Sequence, residues 1–385
     1  MKVTIFNKTE KSFIVKISLI MATRMLGLFM ILPVFAIFAI HYDNSSPLLI
    51  GVAIGIYGLT QALLQIPFGY MSDRFGRKPM LILGLIIFAI GGLISAMSDN
   101  IYLVILGRFI AGAGAIASVL MAFVADIVEP KNRSKANAII GMQIGLAFML
   151  AIVIGPLFEK YFGLSGIFYL TSIMAVFALI LVFRLPNSTV QSRYLFSLNN
   201  IKQILVPKLL ALDFSVFALH FILTAIFITI PVKLVELNNS LTYLIIISVS
   251  FALIIPFIII AEKKSQHKNI LLSAVGLLSI SQILFYLEFA AIYLTIFLTL
   301  FFAAFNLAEA IMPSILARWS DANNPNKRGL IMSFYSTSQF LGAFSGGIIA
   351  GFVIQYFNDN TIFIVTTVLT GIWFLIIFRR KVWQE

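Results

Sequence analysis

Twelve apolar runs, each about as long as a helix needs to cross a bilayer, follow one another along this 385-residue chain. They lie near residues 16–40, 47–71, 80–97, 101–125, 136–160, 166–183, 209–234, 241–261, 270–287, 291–317, 329–357 and 361–378. In lipid no water is available to take unpaired backbone groups, so only helices and closed barrels can span. Barrel strands would read as alternating segments of about ten residues, and none are present. With 61% hydrophobic residues, against roughly half in soluble domains, the chain reads as an all-α membrane protein. The first run, some 24 residues long, exceeds the roughly 7–15 of a signal-peptide core and precedes no small-x-small cleavage site. It is expected to remain as the first helix.

Net charge +12 could suggest nucleic acid, but the placement of the charge argues against that partner. Alternate connections hold 23 of the 27 Lys and Arg residues. They begin with Lys2, Lys8, Lys11 and Lys16, then Arg74, Arg77 and Lys78, then Lys131, Arg133 and Lys135. The pattern continues with Arg184, Arg193, Lys202 and Lys208, with Lys263, Lys264 and Lys268, with Arg318, Lys327 and Arg328, and ends with Arg379, Arg380 and Lys381. The intervening connections carry Asp43, Asp99, Glu236, Glu288 and Asp359. The positive-inside rule then places both termini in the cytoplasm, as an even number of spans requires. There is no cysteine, which excludes disulfides and thiolate sites. His41, His220 and His267 are too dispersed to suggest a metal site.

One connection, 185–208, is longer than the rest and falls after the sixth run. It is expected to be a cytoplasmic linker between two six-helix bundles, 1–184 and 209–385. Internal matches support duplication. "PFGYMSDRFGRKPMLIL" from Pro67 aligns with "PFIIIAEKKSQHKNILL" from Pro256, setting Asp73 against Glu262. "EKYFG" aligns with "IQYFN" and "ILPVF" with "TIPVK", and the three offsets, 189, 195 and 198, are similar. Two pseudo-symmetric halves that rock about a central site are a transporter architecture.

The stretch "GYMSDRFGRKPM", residues 69–80, concentrates charge between the second and third runs. Gly69, Asp73, Arg74, Gly76, Arg77 and Lys78 match G-x-x-x-D-[RK]-x-G-[RK]-[RK], and "LGRFIAGAGA" places Arg108 and Gly112 in the fourth run. In these motifs the chain resembles the major facilitator superfamily along all twelve runs. With "TRMLGLFMILPVF" it is most similar to a YajR-like branch of transporters that drive efflux with protons. Members of that branch carry a small soluble C-terminal domain. This chain stops seven residues after position 378, so that domain is expected to be missing.

The resemblance implies that Asp73 meets the N-terminus of a helix in the other half, near Gly329, and that Arg77 pairs with Asp126. Together these contacts would latch the cytoplasmic side. Physically, Gly69 permits close helix approach, Gly76 a tight turn, and an acid is attracted to helix N-terminal amides. The plain alternative is a solvated loop that only sets topology. The resemblance also leads one to expect a glycine-rich antiporter motif on the fifth helix. Only Gly155-Pro156 survives; Met142, Ala151, Glu159 and Lys160 occupy the other positions.

Ionisable groups inside spans are functional candidates by default. Arg24 lies eight residues beyond Lys16, roughly 12 Å deep at about 1.5 Å per residue. Glu309 lies nine residues before Arg318, roughly 13 Å deep from the same side. Glu309 is expected to carry a coupling proton with Arg24 as partner, or else to form a structural ion pair. His220 and Asp213, seven residues apart on one helical face, and Arg108 complete the coupling candidates. Tyr57, Gln61 and Gln65, Asn306, and Tyr335 with Gln339 form polar stripes that either line a substrate cavity or bond neighbouring helices. Pro33, Pro231 and Pro313 are expected to kink their helices, and Gly342, Gly346, Gly347 and Gly351 suit close packing.

These residues lead to the expectation of a monomeric, non-enzymatic, proton-coupled exporter of a small amphiphilic molecule in the bacterial inner membrane. It would use the proton gradient and no cofactor or metal. A facilitator or proton symporter for a metabolite is the nearest alternative, and a membrane sensor or enzyme a remote one. The 37 phenylalanines suit weakly polar substrates.

Overall fold

The structure is a computed structural model that describes residues 6–187, 206–234, 240–287, 290–323 and 328–379. Lys2, Arg193, Lys202, Glu236, Glu288, Lys327, Arg380, Lys381 and most of the 185–208 connection lie outside the described residues. Nearly everything described is helical. The helices are α1 Lys8–Phe29, α2 Leu32–Phe38, α3 Pro47–Phe75, α4 Arg77–Ala96, α5 Ile101–Ala113, α6 Ala117–Ile127 and α7 Pro130–Phe183. They continue with α8 Pro207–Lys233, α9 Ser240–Lys264, α10 His267–Tyr286, α11 Ala291–Asn323, α12 Arg328–Tyr356 and α13 Thr361–Phe378.

Among the described residues, eleven helical stretches are long and apolar enough to cross a membrane. One of them, α7, has 54 residues. If straight, it would be about 81 Å long, more than twice the roughly 30 Å hydrocarbon core. Gly163 breaks it, with φ 64° and ψ −177°, a conformation that costs glycine little. The two runs read from sequence in this region flank that residue.

Two further interruptions differ in cause. α1 ends before Pro33, which has no N–H to offer the Phe29 carbonyl. α8 and α11 continue through Pro231 and Pro313. The break between α5 and α6 involves no proline. There the helical ladder is replaced by tight turns, from Ala115 N to Ala113 O (2.8 Å) and from Ile116 N to Gly114 O (2.9 Å).

The described chain forms two compact units. The first takes residues through Val34, Tyr42–Asn44 and Leu59 to 187; the second takes Phe35–His41, Ser45–Gly58 and everything from 206 onward. In the first, Phe13, Ile17 and Met21 of α1 pack with Leu81 and Leu85 of α4, Phe123 of α6 and Ile140 of α7. Phe13 and Phe123 meet edge to face at 5.0 Å, a favoured aromatic geometry.

The second unit relies on small residues, because lipid tails are as apolar as leucine and close backbone approach must supply the attraction. Gly342 and Gly346 press one side of α12 onto the backbone of Phe217 and Phe221 in α8. Gly347 and Gly351 press the other side onto α3. A Cβ on Gly347 would sit 3.1 Å from the Gly55 Cα, and a backbone atom cannot turn aside. Gly347→Val is therefore expected to destabilise the protein by about 3 kcal/mol, the upper end for overpacking. Thermal unfolding of the purified variant measures this.

Candidate functional site

The α3–α4 junction in the first unit is built around one cation. Gly76, at φ 96°, turns the chain so that α4 starts at Arg77, whose side chain is 2% exposed. Its Nη1 lies 2.5 Å from Asp73 Oδ1, and its Nε lies 2.8 Å from Asp126 Oδ2 at the end of α6. Nη1 also donates to Ser72 Oγ at 2.6 Å, and Ser72 in turn donates to the Gly69 carbonyl at 2.7 Å. A charge this deep needs all of its donors engaged, and two acids and a hydroxyl meet that need. Gly69 faces Ser118: a Cβ there would lie 3.4 Å from the Ser118 Oγ. Arg74 is exposed, with its guanidinium 5.5 Å from the centre of the Phe75 ring, and Lys78 is half-buried. Within this unit Asp73 is paired with Arg77. Gly329, near which the resemblance places a partner for Asp73, belongs to the second unit.

The α5–α6 interruption leaves carbonyls that buried side chains take up. Gln61 Nε2 donates to Gly112 O at 2.7 Å, and Arg24 Nη2 donates to Gly114 O at 3.1 Å. Ser118 Oγ donates to the Gln65 carbonyl at 2.7 Å. Arg24, 1% exposed, also lies over the Phe88 ring at 5.7 Å. Arg108 is likewise buried. The side-chain carbonyls of Gln61 and Gln65 are buried without a hydrogen-bond partner among the described residues. The stripe read from Tyr57 to Gln65 is divided, with Tyr57 in the second unit and both glutamines in the first.

In the second unit, α8, α11 and α12 bring His220, Glu309 and Gln339 together, with Tyr335 one turn before Gln339 on α12 and Asp213 seven residues before His220 on α8. Gln339 Nε2 lies 2.7 Å from His220 Nε2, and His220 Nδ1 lies 3.1 Å from Val216 O. With the amide nitrogen facing it, Nε2 accepts, and Nδ1 carries the hydrogen given to Val216. Glu309 Oε2 stands 3.9 Å from the same Nε2, buried and with no hydrogen-bond partner among the described residues. A proton added to Nε2 would meet the Gln339 amide nitrogen, so protonating His220 requires that amide to turn and present its oxygen. Phe305 holds the imidazole edge-on at 5.8 Å. One turn before Glu309, Asn306 Nδ2 reaches Ser250 Oγ at 3.4 Å. Sequence reading placed these residues in two groups, coupling and cavity; the structure joins them. Arg24, read as the partner of Glu309, lies in the other unit and bonds Gly114.

Two clusters escaped the sequence reading. Glu10, 2% exposed, accepts from Asn7 N (3.1 Å), Glu129 N (2.9 Å) and Asn132 Nδ2 (3.4 Å), tying α1 to the start of α7. Its signal was a capping box, Asn7 with Glu10, hidden by the reading of the N-terminus as positive charge. Glu262 pairs with Arg318 and lies 3.3 Å from His267. The repeat had aligned Glu262 with Asp73 but offered it no partner.

A family model described as Major Facilitator Superfamily matches residues 17–307 and 260–383. The inner membrane transport protein YajR of Escherichia coli is 37% identical over 373 residues, covering 94% of this chain and 82% of that protein. Multidrug resistance protein 2 of Bacillus subtilis is 32% identical over 198 residues, covering 50% of this chain and 48% of its own. The crystal structure of a D-xylose-proton symporter superposes with a TM-score of 0.75 at 16% identity, covering 96% of this chain and 97% of that one.

Proposed function

Since the chain belongs to the major facilitator superfamily, and is therefore a non-enzymatic membrane transporter, we propose that it exports a small amphiphilic molecule in exchange for protons. It works by alternating access, with twelve crossings and both termini in the cytoplasm. Gly163 separates the fifth crossing from the sixth, and the bacterial inner membrane is its site. The observation that carries the proton reading is Glu309, an acid within a span whose Oε2 is buried without a hydrogen-bond partner among the described residues, 3.9 Å from His220. An ionisable group inside an otherwise apolar span is a functional candidate by default.

In the first unit the Arg77–Asp73–Asp126 cluster acts as the latch whose opening accompanies the change of access. Export is supported by the name of the Bacillus subtilis relative, which speaks of multidrug resistance. The fold shared with a D-xylose-proton symporter favours symport as the competing reading, and the direction of proton flux decides between them. Purified protein is reconstituted into vesicles holding a pH dye under an imposed proton gradient. Lipophilic cations and small metabolites are then added in turn. Proton movement opposite to that of the substrate establishes antiport, movement with it establishes symport, and substrate flux without proton movement overturns coupling.

A further inference from the structure

Both ends of the broken helix α7 return to the first turns of α1. Before its start, the Glu129 amide donates to Glu10 at 2.9 Å; beyond its finish, Lys16 Nζ donates to the Arg184 carbonyl at 3.0 Å. The second contact leaves the Lys16 ammonium two further donors, at a residue whose own guanidinium is exposed and follows the exposed Phe183. Helical spacing sets Lys11, Val15 and Leu19 on one ridge of α1. All three are exposed, so a charge heads a face that continues as apolar surface. Lys8 and Lys16 share the adjacent ridge, eight residues apart. The acids close by are already committed. Glu10 is buried and accepts from Asn7, Glu129 and Asn132, and Glu129 pairs with Lys131 at 2.7 Å. Lys8, Lys11, Lys16 and Arg184 thus leave an excess of positive charge along this edge.

We propose that this edge of the first unit is a binding site for one anionic phospholipid. Lys16 and Arg184 hold its phosphate, and its chains lie along Val15, Leu19 and Phe183. The chemistry matches on both sides. A phosphodiester is negative and offers only acceptor oxygens, whereas ammonium and guanidinium offer only donors. Basic pockets between membrane-spanning helices take such headgroups. Lys11 and Lys8, about 8 and 12 Å further toward the start of α1, add attraction beyond the phosphate. A zwitterionic lipid brings an ammonium group that the same cations repel, so the net charge of the headgroup decides. An amphiphile fits better than free phosphate, because the lower part of this face is apolar. Once bound, the lipid joins α1 to the end of α7 alongside the Lys16 hydrogen bond. The site lies away from Glu309 and does not rest on proton coupling.

The test needs no transported substrate. Native mass spectrometry counts the lipid that stays on the purified full chain released from micelles. These hold either phosphatidylglycerol or phosphatidylcholine with the same acyl chains. Phosphatidylglycerol is expected to bind at least about tenfold more tightly. Each Lys or Arg at a membrane surface changes affinity for anionic lipid by about fivefold. Arg184→Gln should therefore weaken the first bound phosphatidylglycerol by about fivefold, and Lys16→Gln with Arg184→Gln by about thirtyfold. Arg184→Gln keeps the carbonyl that Lys16 bonds, so its melting temperature in detergent alone should match the parent. Lys263→Gln with Lys264→Gln removes equal charge from exposed positions in the second unit. That pair should leave the affinity within about twofold. Equal binding of the two lipids, or equal losses in the two double variants, would overturn the site. Displacement of the phosphatidylglycerol by an equal concentration of glycerol phosphate would overturn it too, since the apolar face would then have no part in binding.

Discussion

Glu309→Gln is expected to abolish gradient-driven transport while leaving substrate exchange close to that of the parent. Glutamine keeps the volume and hydrogen-bonding outline of a protonated glutamate but cannot release a proton. The transporter is then held in its protonated form, in which exchange continues and net coupled flux stops. A fall of at least about tenfold in substrate-driven proton flux, equal to about 1.4 kcal/mol of lost coupling, is the expected size. Vesicles loaded with a pH dye report it against wild type. If both rates fall together, Glu309 is instead holding helices in place through His220 and its neighbours.

Arg77→Ala is expected to cost about 3–5 kcal/mol, the range for breaking a buried ion pair by removing one partner. Asp73 and Asp126 are 15% and 5% exposed, and without Arg77 neither retains that counter-charge. Thermal unfolding of the purified variant should show the loss. Arg77→Lys is expected to recover only part of it, because an ammonium cannot reproduce a fork that reaches Asp73, Asp126 and Ser72 together. The chain has no cysteine, so a single introduced thiol near Asp126 can report accessibility without background. A greater labelling rate in Arg77→Ala would show the latch opening. Unchanged stability and labelling would reduce the cluster to a determinant of topology.

Much of the fold was legible because lipid leaves the backbone few options. Run length gave most helix bounds to within a few residues, and the glycine-rich face of α12 could be read from its sequence. The α5–α6 interruption could not. Its cause is a competition in which Gln61 and Arg24, from helices far away in sequence, replace backbone donors at Gly112 and Gly114. No local propensity in "GAGAI" records partners that arrive from elsewhere. The site shows the same division. The residues of the second-unit cluster stood out as polar groups in apolar runs, but that Gln339 would meet His220 depends on which faces of α8 and α12 touch. Glu10 was missed because a helix cap and a membrane-facing charge look alike before burial is known.

The bonds at that interruption also have an order in time. Arg24 and Gln61 leave the ribosome well before Gly112 and Gly114, the carbonyls they serve. Until those residues emerge, an arginine stands in lipid at a cost of about 2.5–3.5 kcal/mol on insertion scales, and an amide stands there without this partner. The earliest helices therefore gain by lingering beside the insertion machinery until the interrupted one appears, so that the chain through α6 enters the bilayer as a group.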